Sequence, residues 1–81
     1  MKFIELKILP VYFNPVLNGE KTFEVRKNDR NFCVGDVIRL YEYIPEGVKY
    51  TGRFFDVKIT YILQNCEFVK DGYCIMSIIP Y

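Results

Sequence analysis

The densest run of chemistry-bearing residues is Gly19-Glu20-Lys21-Thr22-Phe23-Glu24-Val25-Arg26. In an extended chain successive side chains point to opposite faces. Thr22, Glu24 and Arg26 then share one face, and Lys21, Phe23, Val25 and Lys27 the other. The first row sets a hydroxyl, a carboxylate and a guanidinium in fixed order, with the Lys21 ammonium at the strand's mouth. A guanidinium can grip a phosphate or a guanine edge with two parallel hydrogen bonds. Glu24 could accept from an exocyclic amine or hold Arg26 in place. Lys27, Asn28, Asp29 and Arg30 come next. Lys27, Asn28 and Arg30 would rim the same site, although Asn-Asp is also ordinary turn chemistry. The competing explanation for the whole row is a solvated strand face with one ion pair, worth about 0–1 kcal/mol.

These residues need elements to position them. From Phe3 to Leu9, Ile4, Leu6 and Ile8 alternate with Glu5 and Lys7, the period of a half-buried strand. Pro10 opens a short helix reaching Asn18, with Gly19 just beyond its end. Pro15 competes with that reading: it removes an amide, so the helix kinks there or begins there with Asn14 as its cap. Lys21 to Lys27 is a second strand, and Lys27 to Asn31 a polar loop. The Gly35-Asp36 turn precedes a strand from Val37 to Ile44, which the Pro45-Glu46-Gly47 turn ends. Thr51 to Leu63 alternates over a length that suggests a bent strand curling round a barrel. The last strand runs from Tyr73 to Ile79. Alternation predicts a core of Ile4, Leu6, Ile8, Phe23, Val25, Val57, Ile59, Tyr61 and Ile75. The expected fold is mainly β with one or two short helices (α+β): a small, partly closed barrel of about five strands.

Composition narrows the class. A chain of 81 residues is one domain, 1–81, and its 51% hydrophobic content with 7 Phe and 7 Tyr suits a dense small core. A net charge of +1 means that any nucleic-acid binding must come from a local patch. Cys33, Cys66 and Cys74 are odd in number and lack a C-x-x-C pair, and there is no His. We expect no disulfide, metal or cofactor, and take the cysteines as buried small hydrophobes of a cytoplasmic protein. The amino-terminal apolar run is too short for a signal peptide and nothing approaches a membrane span. Tyr41, Tyr43 and Tyr50 lie near a loop and are candidates for stacking on a base. Arg39 could stack on a tyrosine and join the same basic lip. Lys7 reads as a solvating charge.

Gly19, Lys21, Glu24 and Arg26 match, without a gap, the glycine-x-lysine-x-x-glutamate-x-arginine signature of ASCH domains, a branch of the PUA superfamily of small β-barrels. The stretch from Glu5 to Pro10, the run from Phe23 to Arg30 and the turn Val34-Gly35-Asp36 resemble a compact bacterial and phage subgroup of that family. The resemblance implies a PUA-like barrel with a cleft between helix and sheet, into which the motif residues project, and a role in binding RNA or a nucleotide-like ligand. Some relatives hydrolyse the amide of acetylated cytidine, using a lysine, a threonine three residues later and a distant glutamate. Lys21 matches that lysine, Glu24 occupies the threonine's place, and this chain lacks the segment carrying the glutamate.

The expected function is therefore an RNA- or nucleotide-binding module, with Lys21, Thr22, Glu24, Arg26, Lys27, Asn28 and Arg30 as ligand-binding residues and no catalytic or metal-binding residue. The alternatives are a small amidohydrolase acting on an N4-acylated cytidine, and a phage-type regulator that binds a host protein through a strand edge. The oligomeric state is left open.

Overall fold

The computed structural model describes residues 1–81. In chain order its elements are β1 (Phe3–Ile8), α1 (Pro10–Leu17), β2 (Phe23–Lys27), β3 (Val37–Ile44), β4 (Lys49–Leu63) and β5 (Tyr73–Pro80). The five strands form one sheet in the order β1-β3-β4-β5-β2, with β1 and β3 parallel and the other pairs antiparallel. The chain is thus mainly β with one short helix, and the sheet curls into a half-barrel.

The 15-residue strand β4 produces the curl. Its first part, Lys49 to Lys58, pairs with β3, and its second, Val57 to Leu63, pairs with β5. Register shifts between Tyr41 and Tyr43 and between Ile59 and Tyr61 mark bulges, which bend a strand and increase its twist. The two edge strands, β1 and β2, are thereby swung towards each other across an open seam.

The helix runs through Pro15 without starting afresh there. Leu9 is its N-cap residue, in extended conformation and with no side-chain cap bond. Proline at the first helical position offers no amide to satisfy. At the other end Gly19 takes φ +78°, a left-handed conformation that a side chain would oppose. The amides of both Glu20 and Lys21 then bond back to the Pro15 carbonyl. That fold-back delivers Lys21 directly to the start of β2.

The core contains Ile4, Ile8, Phe13, Val16, Phe32, Ile38, Leu40, Val57, Ile59, Cys74, Met76 and Ile78, with Leu6, Phe55 and Ile62 packed against it. Ile4, Leu6, Ile8, Val57 and Ile59 stand where alternation predicts. Four positions do not. Phe23 and Val25 are exposed, and Glu24 between them is buried. The reason lies in the β2–β5 pairing: Glu24 is opposite Met76 and Arg26 opposite Cys74, so these face inward, while Val25 and Ile75 are opposite each other and face outward. Period two fixes which residues share a face but not which face turns in. Tyr61 is also exposed, because the bulge after Ile59 resets the alternation and Ile62 takes the inward place. Of the cysteines only Cys74 is buried; Cys66 is half-buried and Cys33 exposed. Burial raises the Cys74 thiol pKa above its ordinary value.

Two buried carboxylates lock the frame. Asp36 accepts from the Lys2 amide at 2.7 Å and the Cys33 amide at 2.9 Å, and pairs with the Lys2 ammonium at 2.9 Å. Glu42 accepts from Thr51 and from both Nε and Nη2 of Arg53, whose Nη2 also reaches Asn14 Oδ1 at 2.8 Å. The Glu42–Arg53 pair thereby ties α1 to β3 and β4. No helix is long and apolar enough to cross a membrane.

Candidate functional site

The site sits on the seam. Glu24, 3% exposed, points from β2 into the half-barrel. Lys21 Nζ donates to its Oε1 at 2.5 Å, and Arg26 Nε donates to its Oε2 at 2.8 Å. Lys21 also donates to the Phe23 carbonyl at 2.6 Å. Arg26 Nη2 donates to the Lys7 carbonyl at 2.9 Å, and so bridges from edge strand β2 to edge strand β1. A side chain closes the seam at this point, where no strand pairing does.

A carboxylate withdrawn from water needs compensating charge and hydrogen bonds. Glu24 has both, since each oxygen is taken by a cation. It therefore holds Lys21 and Arg26 in place. Lys21 has spent two of its three donors and Arg26 two of its five, so both cations keep hydrogen-bonding capacity. The Lys21 ammonium lies 4.8 Å from the Phe23 ring centre and 5.7 Å from that of Tyr12, within cation–π range.

Two clefts open on either side of the Arg26 bridge. One, of about 610 Å³, lies between α1 and β2 and is lined by Ile8, Leu9, Tyr12, Glu20, Lys21, Phe23 and Glu24, among others. The other, of about 750 Å³, is lined by Glu5, Leu6, Lys27, Asp29, Arg30, Phe32, Tyr41, Tyr50 and Gly52. Lys7 and Arg26 line both.

The residues singled out from sequence are thus divided. Lys21, Glu24 and Arg26 converge on the first cleft, and Lys27 and Arg30 line the second. Thr22 lines neither; it borders only a void of about 40 Å³, and its carbonyl serves the β5 amide of Ile78. Asn28 lines neither cleft. Its amide nitrogen donates to Gln64 at 2.7 Å and its oxygen accepts from the Phe32 amide at 3.1 Å, so it braces the loop. Arg39 stacks on phenylalanines, 4.2 Å from the Phe54 ring centre and 5.2 Å from that of Phe3, and is held by two bonds to Asp56. Sequence reasoning missed Lys7, Tyr12 and Phe23 as cleft residues. They come from three elements that only the seam brings together, and no local spacing signals that. No three His, Cys, Asp or Glu residues cluster as metal ligands would.

Fold and site together define a class: a half-barrel of five strands whose open seam carries a cation pair fixed on a buried glutamate. The model of the family described as "Domain of unknown function (DUF3850)" matches residues 3–78, and the chain belongs to that family. The chain is also similar to the "Uncharacterized 12.9 kDa protein in GpA 3'region" of Escherichia phage P2, 39% identical over 70 residues. That alignment covers 86% of this chain and 62% of the phage protein, so the chain spans less than two thirds of the relative's length.

Proposed function

We propose that the chain is a noncatalytic binding module for RNA or a nucleotide-like ligand, built on a PUA-like barrel of the ASCH type. The ligand occupies the cleft between α1 and β2. The observation that carries this reading is the anchoring of Lys21 and Arg26 on buried Glu24 beside the rings of Tyr12 and Phe23. Pre-positioned cations lose little freedom when they take a phosphate. The adjacent rings are half-exposed and offer a base an aromatic surface, and the pocket combines apolar walls with a few convergent polar groups.

The signature Gly19-x-Lys21-x-x-Glu24-x-Arg26 gains a physical meaning on this reading. Gly19 turns the chain back after α1, Lys21 and Arg26 meet the ligand, and Glu24 sets their positions. The test is equilibrium binding of a fluorescently labelled nucleoside monophosphate. Removing only the cations would strand a buried carboxylate, so the informative variant replaces the triad together: Lys21→Met, Glu24→Leu and Arg26→Met. Exchange of a buried charge cluster for apolar residues is often neutral for folding. The expected result is a folded protein with no measurable nucleotide binding. Undiminished binding by that variant would place the site elsewhere.

A further inference from the structure

The second cleft continues onto a surface that the first does not use. On the outer face of β3 and β4, Tyr41, Tyr43, Tyr50 and Phe54 form one aromatic cluster. Ring centres are 5.0 Å apart for Tyr43–Tyr50 and 6.0 Å for both Tyr41–Tyr50 and Tyr41–Phe54. Tyr50 and Phe54 are 54% and 48% exposed, a large apolar area for a small domain to leave in water. Two polar contacts hold the cluster. Tyr41 donates to Glu5 at 2.6 Å, and Lys7 lies 4.6 Å over the Tyr43 ring.

Cations border it on the seam side. Tyr41 and Tyr50 line the same cleft as Lys27 and Arg30, and that cleft meets the first at Lys7 and Arg26. The only pairing of Arg30 is a long 3.9 Å contact to exposed Asp29. Of the two carboxylates in this cleft, Glu5 is already engaged by the Tyr41 hydroxyl. The surface thus carries cations with aromatic rings beside them, and they extend from one cleft into the next.

We infer that the two clefts and the tyrosine cluster form one continuous track for a single-stranded polynucleotide. This rests on the nucleotide-binding reading above. One nucleotide sits between α1 and β2, its backbone crosses the seam at Arg26, and following phosphates lie against Lys27 and Arg30 while a base stacks on Tyr50. A chain with alternating phosphates and flat bases matches that order of groups. A free mononucleotide would leave the second cleft and the tyrosines unused.

The test measures binding of labelled uridine monophosphate and of labelled single strands of two, four and eight nucleotides, as oligouridine and as oligothymidine. Affinity is expected to rise with length. Tyr50→Ala, at an exposed position, should weaken the octamer about 5- to 150-fold, the range for loss of one stacked base, and leave the monophosphate unchanged. Tyr50→Phe should restore the octamer. The RNA and DNA series identify which strand is preferred, and the track holds for either. An octamer that binds no tighter than the monophosphate would refute the track while leaving the nucleotide cleft intact. A length dependence insensitive to Tyr50→Ala would equally overturn it. Absence of binding to monophosphate and octamer alike would remove both readings, and would leave the aromatic face as a protein-docking surface.

Discussion

Glu24 controls the site from a buried position, and its removal should be felt twice. Glutamine keeps the shape but turns an N–H₂ group towards one of the two cations. We expect Glu24→Gln to lower stability by about 1–3 kcal/mol in urea unfolding, the range for a buried polar group left badly paired. Nucleotide affinity should fall in the same variant, because Lys21 and Arg26 lose their common anchor. An unchanged affinity would show that Lys21 and Arg26 need no anchoring. Lys21 bears on catalysis as well. Its ammonium donates to both Glu24 and the Phe23 carbonyl, and on the proposed reading it serves as a ligand contact. Thr22, the motif's only hydroxyl, lines neither cleft. We therefore expect no hydrolysis of N4-acetylcytidine above background when cytidine release is followed by chromatography. Turnover that disappears in Lys21→Ala would overturn the noncatalytic assignment.

Among the elements, β4 decides both the curl and the core. Ile59 is fully buried and Tyr61, just past the bulge, is 61% exposed. Ile59→Ala should cost about 2–5 kcal/mol. Tyr61→Ala should stay within about 0.5 kcal/mol, as surface substitutions usually do. Similar losses from the two would mean that the bulge is not where the structure puts it. The helix packs through Phe13 and Val16 and is also tied by an ion pair, since Arg53 joins Asn14 of α1 to Glu42 of β3. Arg53 chiefly, with help from Thr51, holds the Glu42 carboxyl below its usual range against the opposing effect of burial.

For the molecule as a whole, acid should be the sensitive direction. Asp36 is pushed upward by burial, but the Lys2 amide and ammonium and the Cys33 amide outweigh that and hold it low. Arg39 lowers Asp56, and Arg53 lowers Glu42. A carboxylate with a depressed folded-state pKa stabilises fully above its unfolded value and loses that contribution as pH falls through the folded one. With ordinary values of 3.8 for Asp and 4.5 for Glu, stability should be level down to about pH 5 and fall below it. Thermal unfolding across pH 2–7 checks this, and Asp36→Asn should flatten the decline. A stability that rose on acidification would contradict the three pairings. Strand binding, in turn, should weaken with salt at a log–log slope of about −0.7 per neutralised phosphate. With a net charge of +1 the slope should be set by the seam cations and should shrink when Lys27 or Arg30 is replaced by Ala.

Local chemistry was enough to determine the elements. Alternation marks the strands, and Pro10 and Gly19 bracket the helix, because turn residues and side-chain periods act over a few positions. Tertiary structure alone decided which face of each strand turned inward. Alternation leaves that choice open, and the pairing of β2 with β5 sent Glu24 in and Phe23 and Val25 out. The bulge beyond Ile59 had the same effect on Tyr61, since one extra residue inverts every side chain after it. The seam was beyond any local signal: β1 and β2 lie at opposite ends of the sheet order, and Lys7 meets Arg26 only because the sheet curls until its two edges face each other.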